Sequence, residues 1–184
     1  MRGGSQLIDH LDIEEVREEF ASWITNYLDQ PSDQYGGMKP CPFAKDTWDS
    51  GRVRVQLGSL SSVFWEAHDW DDSVDLSVVV FREGAAKYLE RECNDYNQLL
   101  ADRGVDLVCI AFVPSDDEDE DPAIDPDTWG ATIDEAYGFV FIQELSRLNR
   151  ASERLEVQGF YKSMSSAFME YVHTRRKLET SHAR

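Results

Sequence analysis

Apolar positions recur first at helical and then at strand spacing. Ile13, Val16, Phe20, Trp23 and Tyr27 fall three or four residues apart, the stripe of an amphipathic helix. Asp12 and Glu15 have capping-box spacing, with Asp in place of Ser or Thr, and Pro31 follows the end; together they predict a helix over 13–29. Residues 30–51, rich in Pro, Gly, Ser and Asp, read as a loop. Arg52–Leu57 alternates polar and apolar, as a half-buried strand does. Residues 59–72 carry no clear period, although Leu60–Trp65 suits a helical turn. Ser73–Arg82 reads as a second strand, with Val74, Leu76, Val78 and Val80 on one face. Ala85, Leu89, Cys93, Tyr96 and Leu100 predict a helix from about Gly84 to Asp102, stopped by Gly104. Val105–Val113 is nearly all apolar, like a central strand. Strand, helix and strand at this spacing predict a βαβ unit with parallel strands.

The pattern then breaks. Residues 114–130 form an acidic stretch that no core can accept, and they predict a mobile loop. Thr132 and Glu135 make a second capping box. Ile133, Tyr137, Phe141, Leu145, Leu148, Ser152 and Leu155 follow at helical spacing, which predicts a long helix to about Val157. Within it, Gly138–Ile142 reads equally well as a strand, because Phe-Val-Phe-Ile is continuously apolar. After Gly159, a last helix to about Leu178 puts Met164, Phe168, Tyr171 and Arg175 on one side. The pattern predicts a single α+β domain over 1–184. Its parts are a tail (1–11), an N-terminal helix, a small mixed sheet of three or four strands with one βαβ unit, and a C-terminal helical pair within 132–178.

Charge narrows the function classes. The chain has 184 residues, with 36 acids against 18 bases and a net charge of −18. Such a chain is repelled by nucleic-acid phosphates and by anionic membranes. Direct nucleic-acid binding and membrane association are not expected. A basic protein surface or a small molecule is the expected partner. The acidity is uneven: residues 146–184 hold eight bases and four acids, so a mildly basic tail follows an acidic body. Three cysteines without framework spacing, and an N-terminus without an apolar leader, predict a reduced cytoplasmic protein.

Chemistry is most concentrated in Lys39-Pro40-Cys41-Pro42-Phe43-Ala44-Lys45. Two prolines stiffen the backbone around Cys41, and two lysines would favour its thiolate. Cys41 is therefore a candidate nucleophile, redox thiol or metal ligand. Lys39, Lys45, Trp48, Arg52 and Arg54 are candidates to hold a ligand, the arginines an anionic one. The plain alternative is a small buried hydrophobe, with Phe43 and Trp48 plugging the core. The block Cys41-Pro42-Phe43-Ala44-Lys45, with Trp48, Gly51 and the strand from Arg52, resembles a family of small uncharacterised bacterial proteins. Phe141–Leu145 through Gly159-Phe160-Tyr161 resembles small proteins carried by marine tailed phages. The resemblance implies that the Cys41–Lys45 block recurs; it implies no activity.

Phe64–Asp72 is the second concentration, with two indoles, one imidazole and four acids. His68 with Asp69 or Asp71 could serve as an acid–base pair or hold a divalent cation. The spacing matches no metal motif, so no metal is assigned. If this segment met the Cys41 loop, Cys41 and His68 would form a catalytic pair. Arg147, Arg150 and Arg154 share one helical face and could hold a phosphate or carboxylate, or pair with the acidic body. No cofactor is indicated. Two readings follow: a small-molecule enzyme or binding protein using the Cys41 loop, and a non-enzymatic acidic protein docking on a basic partner.

Overall fold

The computed structural model describes residues 12–81, 88–112 and 137–180. The N-terminal tail 1–11, the start of the Gly84 helix, the acidic segment 114–130, the Thr132–Glu135 capping box and residues 181–184 lie outside them.

Helix α1 (Ile13–Trp23) begins at Asp12, whose carboxylate accepts the Glu14 N–H at 3.0 Å, satisfying one orphan donor of the first turn. It buries Val16, Phe20 and Trp23 and runs on into a π-helical turn, Ile24–Leu28, close to the predicted 13–29. The predicted loop holds a 3₁₀ turn (Asp33–Tyr35) and a short helix α2 (Ala44–Asp49). Strand β1 (Val53–Gly58) and helix α3 (Leu60–His68) follow. Ser59 caps α3 in a reciprocal box with Ser62, so the unpatterned stretch of the sequence is helical. Strand β2 (Leu76–Phe81), helix α4 (Leu89–Asp102) and strand β3 (Leu107–Phe112) complete the first half. Strand β4 (Gly138–Glu144) passes directly into helix α5 (Leu145–Gln158), and helix α6 (Ser166–Thr180) comes last.

Two expectations are corrected. The long helix predicted from Thr132 does not cross 138–144; that run is β4, and α5 starts only at Leu145. Phe139, Val140 and Ile142 are fully buried, and β4 lies between β2 and β3. Pairing on both edges and burial on both faces outweigh the local helical period. The predicted parallel pairing of the second and third strands is also replaced. The order is β1-β2-β4-β3, with β1 and β2 parallel and β4 antiparallel to both neighbours. β2 and β3 thus point the same way but sit one strand apart. The βαβ unit with adjacent strands is β1-α3-β2. The architecture is otherwise as expected: a mixed α+β fold with a four-stranded open sheet.

Helices cover both faces. On one, Val55, Val78, Val80 and Phe139 pack with Val16, Phe20, Trp23 and Ile24 of the N-terminal helix. On the other, Val79, Phe81, Leu107, Cys109, Val140 and Ile142 pack under α3 and α4. β3 is an edge strand, and buried Asn97 of α4 closes it. Its amide donates to the Cys109 carbonyl at 2.8 Å and accepts the Cys109 N–H at 2.7 Å. Two backbone groups on a free edge are thereby satisfied.

Candidate ligand-binding site

The Cys41 block is a turn strapped to the end of the first helical stretch. Cys41 N–H donates to the Leu28 carbonyl, and the Cys41 carbonyl accepts the Ala44 N–H, both at 3.2 Å. Ala44 and Trp48 pack against the core under α1, and Arg17 stacks over the Trp48 ring at 5.7 Å. Burial raises the Cys41 pKa, and backbone hydrogen bonds at Phe43 and Ala44 lower it only in part. Lys39 pairs with Asp29 at 2.6 Å and Lys45 with Asp49 at 2.5 Å. Each lysine thus has its own carboxylate partner, and the thiol is held neutral, opposite to the shift expected from two nearby cations.

His68 lies on the other face of the sheet. Its helix, α3, packs through Val63 and Ala67 on the α4-side core, whereas the Cys41 turn belongs to the α1 side. The structure therefore does not bring Cys41 and His68 together. Arg52 and Arg54 are engaged by acids. Arg52 bonds the Asp75 carboxylate at 2.9 Å and the Asp72 carbonyl at 2.6 Å. Arg54 bonds Glu66 at 3.1 Å and Asp71 at 3.5 Å. Glu66 also accepts from the buried Ser77 hydroxyl at 2.7 Å, so this node pins α3 to the sheet. Of the arginine stripe, Arg147 pairs with Asp75, joining the basic tail to the acidic body. Asp71 turns to the Ser73 N–H at 2.7 Å, a bond that lowers its pKa together with the Ser73 hydroxyl. Among the described residues, no three His, Cys, Asp or Glu side chains are placed to hold a metal ion.

What His68 does line is a cavity of about 370 Å³ between α3 and α4. Its walls are Phe64, Trp70 and Tyr96, with Ala67, Leu99 and Leu100 behind them, and Arg103, Asp106 and Glu144 stand at its polar end. The helices are bridged there by the Tyr96 hydroxyl, which donates to the Phe64 carbonyl at 3.4 Å. His68 stacks on Phe64 with an interplanar angle of 10°. The Trp70 indole N–H is buried and has no hydrogen-bond partner among the described residues. Asp106 is occupied, accepting from the Ser146 N–H at 2.9 Å and its hydroxyl at 2.6 Å. The carboxylate of Glu144 and the guanidinium of Arg103 have no ion-pair partner among the described residues. Both α3 and α4 end at this cavity and α5 begins there with Glu144 as its N-cap, so two negative helix ends and one positive one meet around that carboxylate.

Sequence reasoning found Phe64, His68 and Trp70 as a dense aromatic segment but missed Tyr96, Arg103 and Glu144. These come from two other parts of the chain, α4 with its C-cap and the end of β4, and carry no local motif. Among the described residues no helix is long and apolar enough to cross a membrane. Comparison of the chain with models of protein families, with curated proteins and with solved structures finds no match.

Proposed function

We propose that the protein binds a small organic cation with an apolar or aromatic body, in the cavity between α3 and α4. One observation carries the reading: a cavity of about 370 Å³ combines three aromatic walls with a carboxylate, Glu144, that has no ion-pair partner among the described residues. The volume lies in the range of small-ligand pockets. Aromatic faces attract a cation through their quadrupoles, and the C-termini of α3 and α4 outnumber the single N-terminus of α5 at the site. The net charge of −18 steers cations toward the protein. The buried Trp70 N–H supplies a donor for an acceptor on the ligand, at little extra desolvation cost. His68 lines the same site, its ring stacked on Phe64. This moves the small-molecule reading from the Cys41 loop, whose cations are already paired, to the opposite face of the sheet.

The test uses phenethylamine and phenylpropionate, which match in size and differ in charge, with Trp fluorescence or calorimetry as readout. The amine is expected to bind saturably and the acid not. Leu99→Trp, which fills the cavity, should abolish binding, and Glu144→Gln should weaken it about tenfold. Absence of saturable amine binding, or equal binding of amine and acid, overturns the reading.

A further inference from the structure

The interface between α5 and α6 is built unlike the rest of the core. Helices bury apolar stripes, yet here the buried face of α5 includes Asn149 and Ser152, and α6 buries Arg175, only 8% exposed. Arg175 Nε donates to Asn149 Oδ1 at 3.2 Å, and its guanidinium lies over the Tyr171 ring at 5.8 Å. Its Nη2 is buried without a hydrogen-bond partner among the described residues. No carboxylate lies within ion-pair distance of it among the described residues. The neighbouring Arg176 is balanced: Nη1 pairs with Glu156 at 2.6 Å and Nη2 donates to Ser152 Oγ at 2.8 Å, although its Nε is also buried and has no partner among the described residues. Ser152 in turn meets the Tyr161 hydroxyl at 2.9 Å.

A guanidinium remains charged in proteins, and burial here opposes that charge. An unbalanced buried charge costs several kcal/mol, and buried charges are as a rule paired. The geometry points to a second binding site, independent of the α3–α4 cavity. Arg175, through its free Nη2–H group, takes a small oxyanion, a phosphate or a carboxylate, as its missing counter-ion. A planar fork of donors matches such oxyanions in two-point contact. The segment around it is the basic part of an otherwise acidic chain. Tyr171 and Phe168, 41% and 37% exposed, leave an aromatic approach along α6.

The test melts the full chain in chloride, then with inorganic phosphate or acetate replacing chloride at constant ionic strength. Wild type should gain at least about 3 °C, saturating with anion concentration. Phosphate alone being effective identifies a phosphate group, and acetate alone a carboxylate. Arg175→Met should lose the gain, which separates it from the general stabilising effect of phosphate on burial. Arg154→Gln, on the exposed stripe, should keep it. If Arg175→Met does not fold, Arg175→Lys retains the charge without the fork and should bind roughly tenfold more weakly. A wild-type melt equal in all three salts overturns the proposal. So does a gain undiminished in the Met or Lys variant.

Discussion

Cys93 and Cys109 belong to the same core cluster under α4, and burial pushes both thiols up, Cys93 to about 12 from an ordinary 9.0. Once unfolded, they ionise near their ordinary value, so above it the unfolded chain binds fewer protons than the folded one. Stability held by these neutral thiols is complete below about pH 9 and is lost as pH rises toward about 12. Urea midpoints should therefore fall steeply between about pH 8 and pH 11, and less steeply in the Cys93→Ala/Cys109→Ala chain. A wild-type midpoint that stays level across this range would refute the argument. Cys41 shows the same physics at the surface of the fold. Its lysine neighbours are plain in the sequence; the desolvation that outweighs them comes from packing and is not. Arg175 is the reverse case: the sequence places it on one side of the last helix with Phe168 and Tyr171, and only the structure shows that no carboxylate among the described residues meets it there.

At the scale of elements, local signals were accurate where they were chemical and weaker where two states were close. Asp12 caps α1 as predicted, although through the Glu14 N–H and not in the expected box with Glu15, and Gly104 and Gly159 close α4 and α5 at φ of 70° and 87°. The run Gly138–Ile142 read both ways, because a buried strand and a buried helix share one apolar composition. Its two neighbouring strands decided the outcome. Helix α3 was nearly illegible, since its exposed residues include Leu60, Phe64 and Trp65, which blur the polar side of the stripe. The close approach of α3 to the sheet is set at Gly58. A Cβ there would lie 2.7 Å from both Ser62 and Val79. Gly58→Ala should cost about 2 kcal/mol in urea denaturation. A loss under about 0.5 kcal/mol would show that α3 shifts freely on the sheet.

For the whole molecule, charge is the dominant long-range force. A net −18 repels itself in the compact state more than in the expanded one. Adding NaCl from about 10 mM to about 0.5 M should therefore raise the melting temperature, as the Debye length shrinks. A fall would mean that pairs such as Arg54–Glu66 and Arg52–Asp75 outweigh the repulsion. The α+β class, the acidic body with its basic tail, and most helices and strands were determined by the sequence itself, because composition and apolar period act within a few residues. The order β1-β2-β4-β3, the separation of Cys41 from His68 on opposite faces, and the meeting of Trp70, Tyr96, Arg103 and Glu144 around one cavity were decided by tertiary structure alone. Each depends on which distant segments share a sheet edge or a helix seam, and no local spacing encodes that choice.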